Sequence, residues 1–269
     1  AAKSEIASMP SIESEVAKLL TGEVEDLNAK NLPTIKEELQ GSEGFGSGDN
    51  ADQFSIVSMF AGCGGMDLGF KGDFTFLDAY YPPNPFEIVW ANEINTKACD
   101  TYRRNLGNHL IQGDVWEVLD TMPSSADVII GGFPCQDISV NGKRAGINGP
   151  RSGLYRAMVA AVEKVKPKVF VAENVKGLLS RQYKDALATV LKDFEALGYS
   201  VSYRLYQAAD YGVPQSRERV FIVGVRGEKD LFEPPSPVLD RDSWVDAQTA
   251  ISDLIDLPED ETFSHIWSR

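Results

Sequence analysis

From residue 54 onward the chain alternates short apolar runs with helix-length amphipathic stretches, and few folds accept that order. The runs at 56–60, 88–91, 128–130, 169–172, 201–205 and 220–225 read as strands, and the stretches 96–105, 154–165 and 183–197 carry apolar residues at helical spacing. Strand, helix, strand in repetition predicts an α/β class: a mostly parallel sheet with helices on both faces. In such sheets ligands settle beyond the carboxyl ends of the strands, where loops lead into helices. No internal repeat is visible.

Charge divides the chain into three. Residues 1–53 hold 11 acidic and 4 basic side chains, with a helical pattern at 12–20 and a Gly/Ser/Asp-rich stretch at 41–52 that reads as a linker. Residues 228–269 hold 11 acidic and 3 basic side chains, with a helical pattern at 246–255, whereas residues 54–227 hold 18 and 19. The net charge of −14 therefore comes from the flanks. A near-neutral middle with local basic patches is compatible with a polyanionic partner, although long-range steering is weaker than in a basic protein. No run approaches the roughly 18 apolar residues of a membrane span, and the first residues lack a basic region followed by an apolar stretch, so a cytoplasmic or nuclear compartment is expected. Three widely spaced cysteines and two histidines suggest neither a disulfide framework nor a zinc site, and no metal is expected.

The first strand runs into Phe60-Ala61-Gly62-Cys63-Gly64-Gly65, a glycine-rich turn opening a helix. Its order is G-x-G-G, a poor fit to the dinucleotide fingerprint G-x-G-x-x-G. The second strand ends in Asn92-Glu93, and Gly113-Asp114-Val115 follows the third. A carboxylate at either place suits ribose hydroxyls or an adenine amino group, and equally suits a helix cap or a turn. After the fourth strand comes Gly131-Gly132-Phe133-Pro134-Cys135-Gln136, and the fifth ends in Glu173-Asn174-Val175. A thiol and a carboxyl group at adjacent strand ends suit covalent attack on a heteroaromatic ring, with the acid supporting a ring nitrogen. Cys99 falls in a helical pattern and reads as core. Arg217 and Arg219, two residues apart before the last strand, point to one side and suit phosphate or carbonyl oxygens; a solvated turn would look the same.

Taken in order, F-A-G-C-G-G, N-E, G-D-V, G-G-F-P-C-Q, E-N-V and Q-S-R-E-R resemble the DNA (cytosine-5) methyltransferase family over residues 55–226. The resemblance implies a Rossmann-like fold and transfer of a methyl group from S-adenosylmethionine, leaving S-adenosylhomocysteine, to carbon 5 of a flipped cytosine in double-stranded DNA. By the family pattern Phe60, Gly62, Cys63, Gly64, Gly65, Glu93, Ile94, Asp114, Val115, Pro134 and Leu154 bind the cofactor. Cys135 attacks carbon 6, Glu173 holds or protonates ring nitrogen 3, Arg219 contacts the base, and Arg217 supports the site or a phosphate. Residues 139–152 resemble the family's mobile loop, so Gln136, Ser139, Lys143, Arg144 and Arg151 are expected at the DNA.

The family's target-recognition domain and last two motifs are not found after Arg226. The organisation expected is an acidic extension at 1–53, a catalytic domain at 54–227, and an acidic approach to a recognition domain at 228–269. That leaves a truncated sequence, a second polypeptide supplying the remainder, or a regulatory remnant. A restriction-modification role is the expected setting. Rival functions are an RNA cytosine-5 methyltransferase, in which the same cysteine serves a looped cytosine, and a noncatalytic subunit of a methyltransferase, for which Cys135 is dispensable.

Overall fold

A computed structural model describes residues 53–76, 79–134, 153–227 and 232–252 of the chain. The strands are β1 (Phe54–Met59), β2 (Phe74–Phe76), β3 (Ala79–Tyr81), β4 (Phe86–Glu93), β5 (Leu110–Gln112), β6 (Val128–Gly131), β7 (Val169–Val175), β8 (Tyr199–Gln207) and β9 (Glu218–Arg226). The helices are α1 (Gly65–Lys71), α2 (Thr96–Leu106), α3 (Val115–Val118), α4 (Leu154–Val165), α5 (Lys184–Glu195) and α6 (Ala247–Ile251).

Seven strands form one sheet in the order β5-β4-β1-β6-β7-β9-β8, and β2 pairs with β3 in a separate ribbon. All pairs in the large sheet are parallel except those of β9, which runs against both β7 and β8. The chain fills the sheet outward from β1 through β4 to β5, then returns to lay β6 on the other side of β1. Strand order thus reverses between β1 and β6, which is where a crevice for ligands opens in such folds.

Successive side chains of a strand point to opposite faces, and here both faces are covered. Val57, Met59, Ile129, Phe170 and Ile222 pack under Met158, Ala161 and Val162 of α4 and Val190 and Phe194 of α5. On the other face Ile56, Ile88, Ile130, Val171 and Val223 pack with Phe70 of α1 and Cys99 and Tyr102 of α2. Burial on both sides is why the inner strands read as unbroken apolar runs. The Phe170 ring stacks on Phe194 with centroids 4.2 Å apart and meets Tyr199 at 5.3 Å. Its cross-strand partner is Gly224, where a Cβ would overlap the ring.

The structure begins β1, β4, β8 and β9 two residues earlier than expected, carries β7 three residues further, ends β1 at Met59 rather than at residue 60, and adds the β2–β3 ribbon. Helix α5 ends at Glu195 rather than Leu197. Of the expected helix at 246–255, residues 247–251 form α6, capped by Asp246 Oδ1 accepting from the Thr249 N–H at 2.7 Å, and residues 253–255 lie outside the described residues. The helical pattern at 12–20 and the linker at 41–52 lie outside the described residues. Residues 232–252 return to the sheet: the Val238 and Leu239 N–H groups donate to the Asp210 carbonyl at 3.1 and 2.9 Å, and Trp244 Nε1 donates to Asp210 Oδ1 at 3.0 Å. No helix among the described residues is long and apolar enough to cross a membrane.

At the amino edge of the sheet Asp127 Oδ2 accepts from the Ser55 backbone N–H at 3.0 Å and the Ser55 hydroxyl at 2.9 Å, while Lys168 Nζ lies 3.2 Å from Oδ1. Burial pushes the carboxyl pKa up, but the Ser55 bonds and the Lys168 charge outweigh it and hold the group below its ordinary value. A depressed folded pKa means the stabilisation is present above the unfolded value of about 3.9 and is lost as pH falls through the folded value. Asp127→Ala is therefore expected to cost about 1–3 kcal/mol at pH 7. Urea unfolding at a series of pH values should show the gap to wild type closing in that acid window; a gap independent of pH would contradict this account.

Candidate active site

The loops at the carboxyl ends of β1, β4 and β5 form one group. Phe60 leaves β1 in a left-handed conformation, φ 55°, and begins the turn that closes at Gly64, φ 91°. Gly64 faces backward: a Cβ there would run into Leu106 Cδ1 and stand 3.0 Å from the Tyr102 ring. Gly62 and Gly65 face forward, where no heavy atom lies within 4 Å of an added Cβ, and Cys63 between them is exposed.

Glu93 shapes this turn. Its Oε2 accepts from the Gly62 N–H at 2.9 Å, and its Oε1 accepts from the Ile94 and Asn95 N–H groups at 2.9 and 2.8 Å. The side chain read as a candidate ribose ligand is thus engaged first by three backbone donors. Ile94 beside it is 66% exposed, an apolar surface at the mouth of the turn. Asp114 caps α3, its Oδ1 accepting from the Trp116 N–H at 2.9 Å, and its side chain remains exposed. Val115, which opens α3, has its side chain buried in the core. Asn92, which sequence reasoning passed over, ties the group together. Its buried Nδ2 donates to the Ile111 and Gly113 carbonyls at 3.1 and 3.0 Å, and its own carbonyl accepts from the Ala61 N–H at 2.9 Å.

The second group belongs to β6, β7 and β9. Met59 and Gly131 are register partners, so Phe60 and Gly132 leave adjacent strands side by side. Phe133 is buried, Pro134 is exposed, and Leu154 opens α4 half-buried. Cys135, Gln136, Ser139, Lys143, Arg144 and Arg151 lie outside the described residues. Glu173, near the end of β7, has Oε1 2.7 Å from Arg219 Nε and 3.8 Å from Arg217 Nη2. The Arg219 Nε–H is buried but does not point along that short contact, so the pair is held by charge rather than by an aligned hydrogen bond. A Cβ on Gly132 would sit 3.2 Å from Glu173 Oε2, which places the carboxylate against the segment leading to Pro134.

Two further residues brace this end. The buried Asn174 Nδ2 donates to the Phe133 carbonyl at 2.8 Å, fixing the backbone just before Pro134. Lys176 Nζ donates to both Glu218 oxygens at 2.8 and 2.7 Å, joining the end of β7 to the start of β9. Asn92 and Asn174 each adjoin a glutamate that sequence reasoning had singled out, and that adjacency was the available signal; Lys176 carried none. Among the described residues no three His, Cys, Asp or Glu side chains are grouped to hold a metal ion.

The family model described as C-5 cytosine-specific DNA methylase matches residues 54–268. Among curated proteins, the chain is 44% identical over 185 residues to the Type II methyltransferase M.NgoFVII of Neisseria gonorrhoeae, covering 68% of this chain and 46% of that protein. It is 40% identical over 189 residues to the Type II methyltransferase M.FnuDI of Fusobacterium nucleatum, covering 70% and 52% respectively. The chain thus spans about half the length of the curated relatives it matches. A crystal structure of a prophage-encoded E. coli protein, described as a DNA modification methyltransferase, superposes with TM-score 0.54 at 24% identity over 77% of this chain and 56% of that one, a likeness of fold.

Proposed function

This chain belongs to the C-5 cytosine-specific DNA methylase family, and on that premise we propose that it methylates carbon 5 of a cytosine flipped out of double-stranded DNA, using S-adenosylmethionine and a covalent bond to Cys135. The observation that carries the reading is the Glu173 carboxylate, flanked by Arg219 and Arg217 and set against Gly132, three residues before Cys135. Relatives named as Type II methyltransferases support a restriction-modification setting.

The residues at the glycine turn suit the cofactor. Gly62 and Gly65 leave the front of the turn open, Ile94 offers an exposed apolar surface for a purine, and exposed Asp114 has its second carboxylate oxygen available for a polar edge. With Glu93 holding Gly62 from behind, backbone N–H groups can approach a ligand closely.

A stacked cytosine hides its ring faces, so extrusion comes first and costs a few kcal/mol. The Cys135 thiolate then adds to carbon 6, forming a C–S bond. The electron pair of the 5,6 double bond moves into the ring, and Glu173 supplies or holds the proton at nitrogen 3. S-adenosylmethionine supplies an electrophilic sulfonium methyl group to the carbon 5 that this addition makes electron-rich. Loss of the carbon 5 proton to a base restores the double bond as the C–S bond breaks and the thiolate returns. Arg219 holds the flipped base and positions Glu173, and Arg217 assists from the more exposed side. Gln136, Ser139, Lys143, Arg144 and Arg151 supply contacts to DNA, which the near-neutral middle of the chain permits despite the overall charge of −14.

Trapping tests this. With cofactor and DNA carrying 5-fluorocytosine, the full chain is expected to form an adduct visible by mass, since fluorine at carbon 5 blocks the last elimination, and Cys135→Ser should abolish it. No adduct from a protein that binds both DNA and cofactor would favour a noncatalytic subunit instead.

A further inference from the structure

Behind the glycine turn lies a chain of buried polar side chains that the proposed reaction does not use. The Ser58 hydroxyl, at the end of β1, donates to Asp67 Oδ2 at 3.0 Å. The Tyr102 hydroxyl, on α2, donates to Asp67 Oδ1 at 2.8 Å, and His109 Nε2 lies 2.9 Å from the same Tyr102 oxygen. Ser58, Asp67 and Tyr102 are all but fully buried, and burial pushes the Asp67 carboxyl pKa up. Polar groups so deep persist only when their partners are supplied. Here the supply is complete in the tautomer with hydrogen on Nε2: His109 donates to Tyr102, Tyr102 to Asp67, and Ser58 to the other carboxylate oxygen.

The position of this chain is informative. Its members come from β1, α1, α2 and the approach to β5, which are the elements surrounding the turn from Phe60 to Gly64. The Tyr102 ring, held by its hydroxyl, is also the surface on which the back of Gly64 rests. The front of the turn, at Gly62 and Gly65, is the open side. A shift of Tyr102 would therefore move the turn as a unit, without touching Glu173 or the base-handling end.

We propose that Ser58, Asp67, Tyr102 and His109 form a positioning network that holds the glycine turn in its cofactor-binding shape and so sets affinity for S-adenosylmethionine without entering the chemistry. This rests on the assignment of the turn to the cofactor made above.

Tyr102→Phe keeps the ring against Gly64 and removes only the oxygen. Titration calorimetry on the full chain should show S-adenosylmethionine binding about 10-fold weaker in Tyr102→Phe. Single-turnover methyl transfer at saturating cofactor should stay within about twofold of wild type, the pattern of lost uniform binding. Val190→Ala, a core truncation on α5 remote from the turn, serves as the stability control; it should lower the melting temperature at least as far and leave cofactor affinity unchanged. If Tyr102→Phe does not fold, Ser58→Ala carries the same expectation. Wild-type affinity in either variant, or equal weakening in Val190→Ala, overturns the network. A wild-type chain that fails to bind the cofactor overturns both this proposal and the reading it rests on, whereas a chain that binds it and forms the Cys135 adduct isolates any failure to the network.

Discussion

Glu173→Gln is expected to slow single-turnover methyl transfer by about 100- to 10,000-fold, the range lost when a positioned proton donor is removed. The amide preserves shape and keeps an oxygen facing Arg219, but it cannot deliver a proton to a ring nitrogen. The carboxylate is about one-fifth exposed and its arginine partners reach solvent, so deleting the charge leaves no deeply buried cation, and the melting temperature should move little. Cofactor affinity should hold within about twofold, because the glycine turn is organised by Glu93 and not by Glu173. Quenched-flow transfer of a labelled methyl group, with calorimetric binding alongside, separates the two quantities. A wild-type rate would reduce Glu173 to an ion-pair partner of Arg219.

The largest effect on stability is expected at Gly224. It lies opposite Phe170 in the β7–β9 ladder, and an added Cβ would overlap the ring, with even the third-nearest ring atom only 2.7 Å away. The ring cannot step aside, because Phe194 stacks on it and Tyr199 meets it from another side, its hydroxyl tied to the Pro167 carbonyl at 2.7 Å. Overpacking of this kind costs about 3 kcal/mol, or roughly 6–12 °C in melting temperature for a domain of this size. Gly224→Ala should show that loss in thermal denaturation. A melting temperature within a degree or two of wild type would mean that the aromatic cluster repacks.

Much of this architecture is legible in the amino-acid sequence. The inner strands announce themselves because both faces are buried, and α4 matches its apolar spacing from Leu154 to Val165. The β2–β3 ribbon was not legible: three residues per strand are too few to show a period, and Pro82 and Pro83 follow directly. The reversed direction of β9 could not be read either, since alternation looks the same in either direction. At the site, Glu173, Arg217 and Arg219 could be named singly, but that they meet is a consequence of that reversal. Asn92 and Asn174 stayed hidden because their partners are carbonyls, at Ile111, Gly113 and Phe133, and a carbonyl carries no signature in the amino-acid text. The bonds Glu93 makes within the turn stayed hidden for the same reason, its partners being backbone N–H groups.

The place of β9 also has a bearing on biosynthesis. Strand β9 does not join the edge of the sheet but slots between β7 and β8, both made earlier. The loops after β1, β4 and β5, from Phe60 to Asp114, are complete about 100 residues before Arg219 is synthesised, which at ordinary translation speeds is roughly 5–20 s. Through that interval Glu173 stands at the end of a strand whose neighbour has not arrived, without the arginines that hold it. A nascent chain can therefore assemble the glycine turn while the end around Glu173 is still incomplete, and insertion of β9 is the event that brings Arg217 and Arg219 to Glu173.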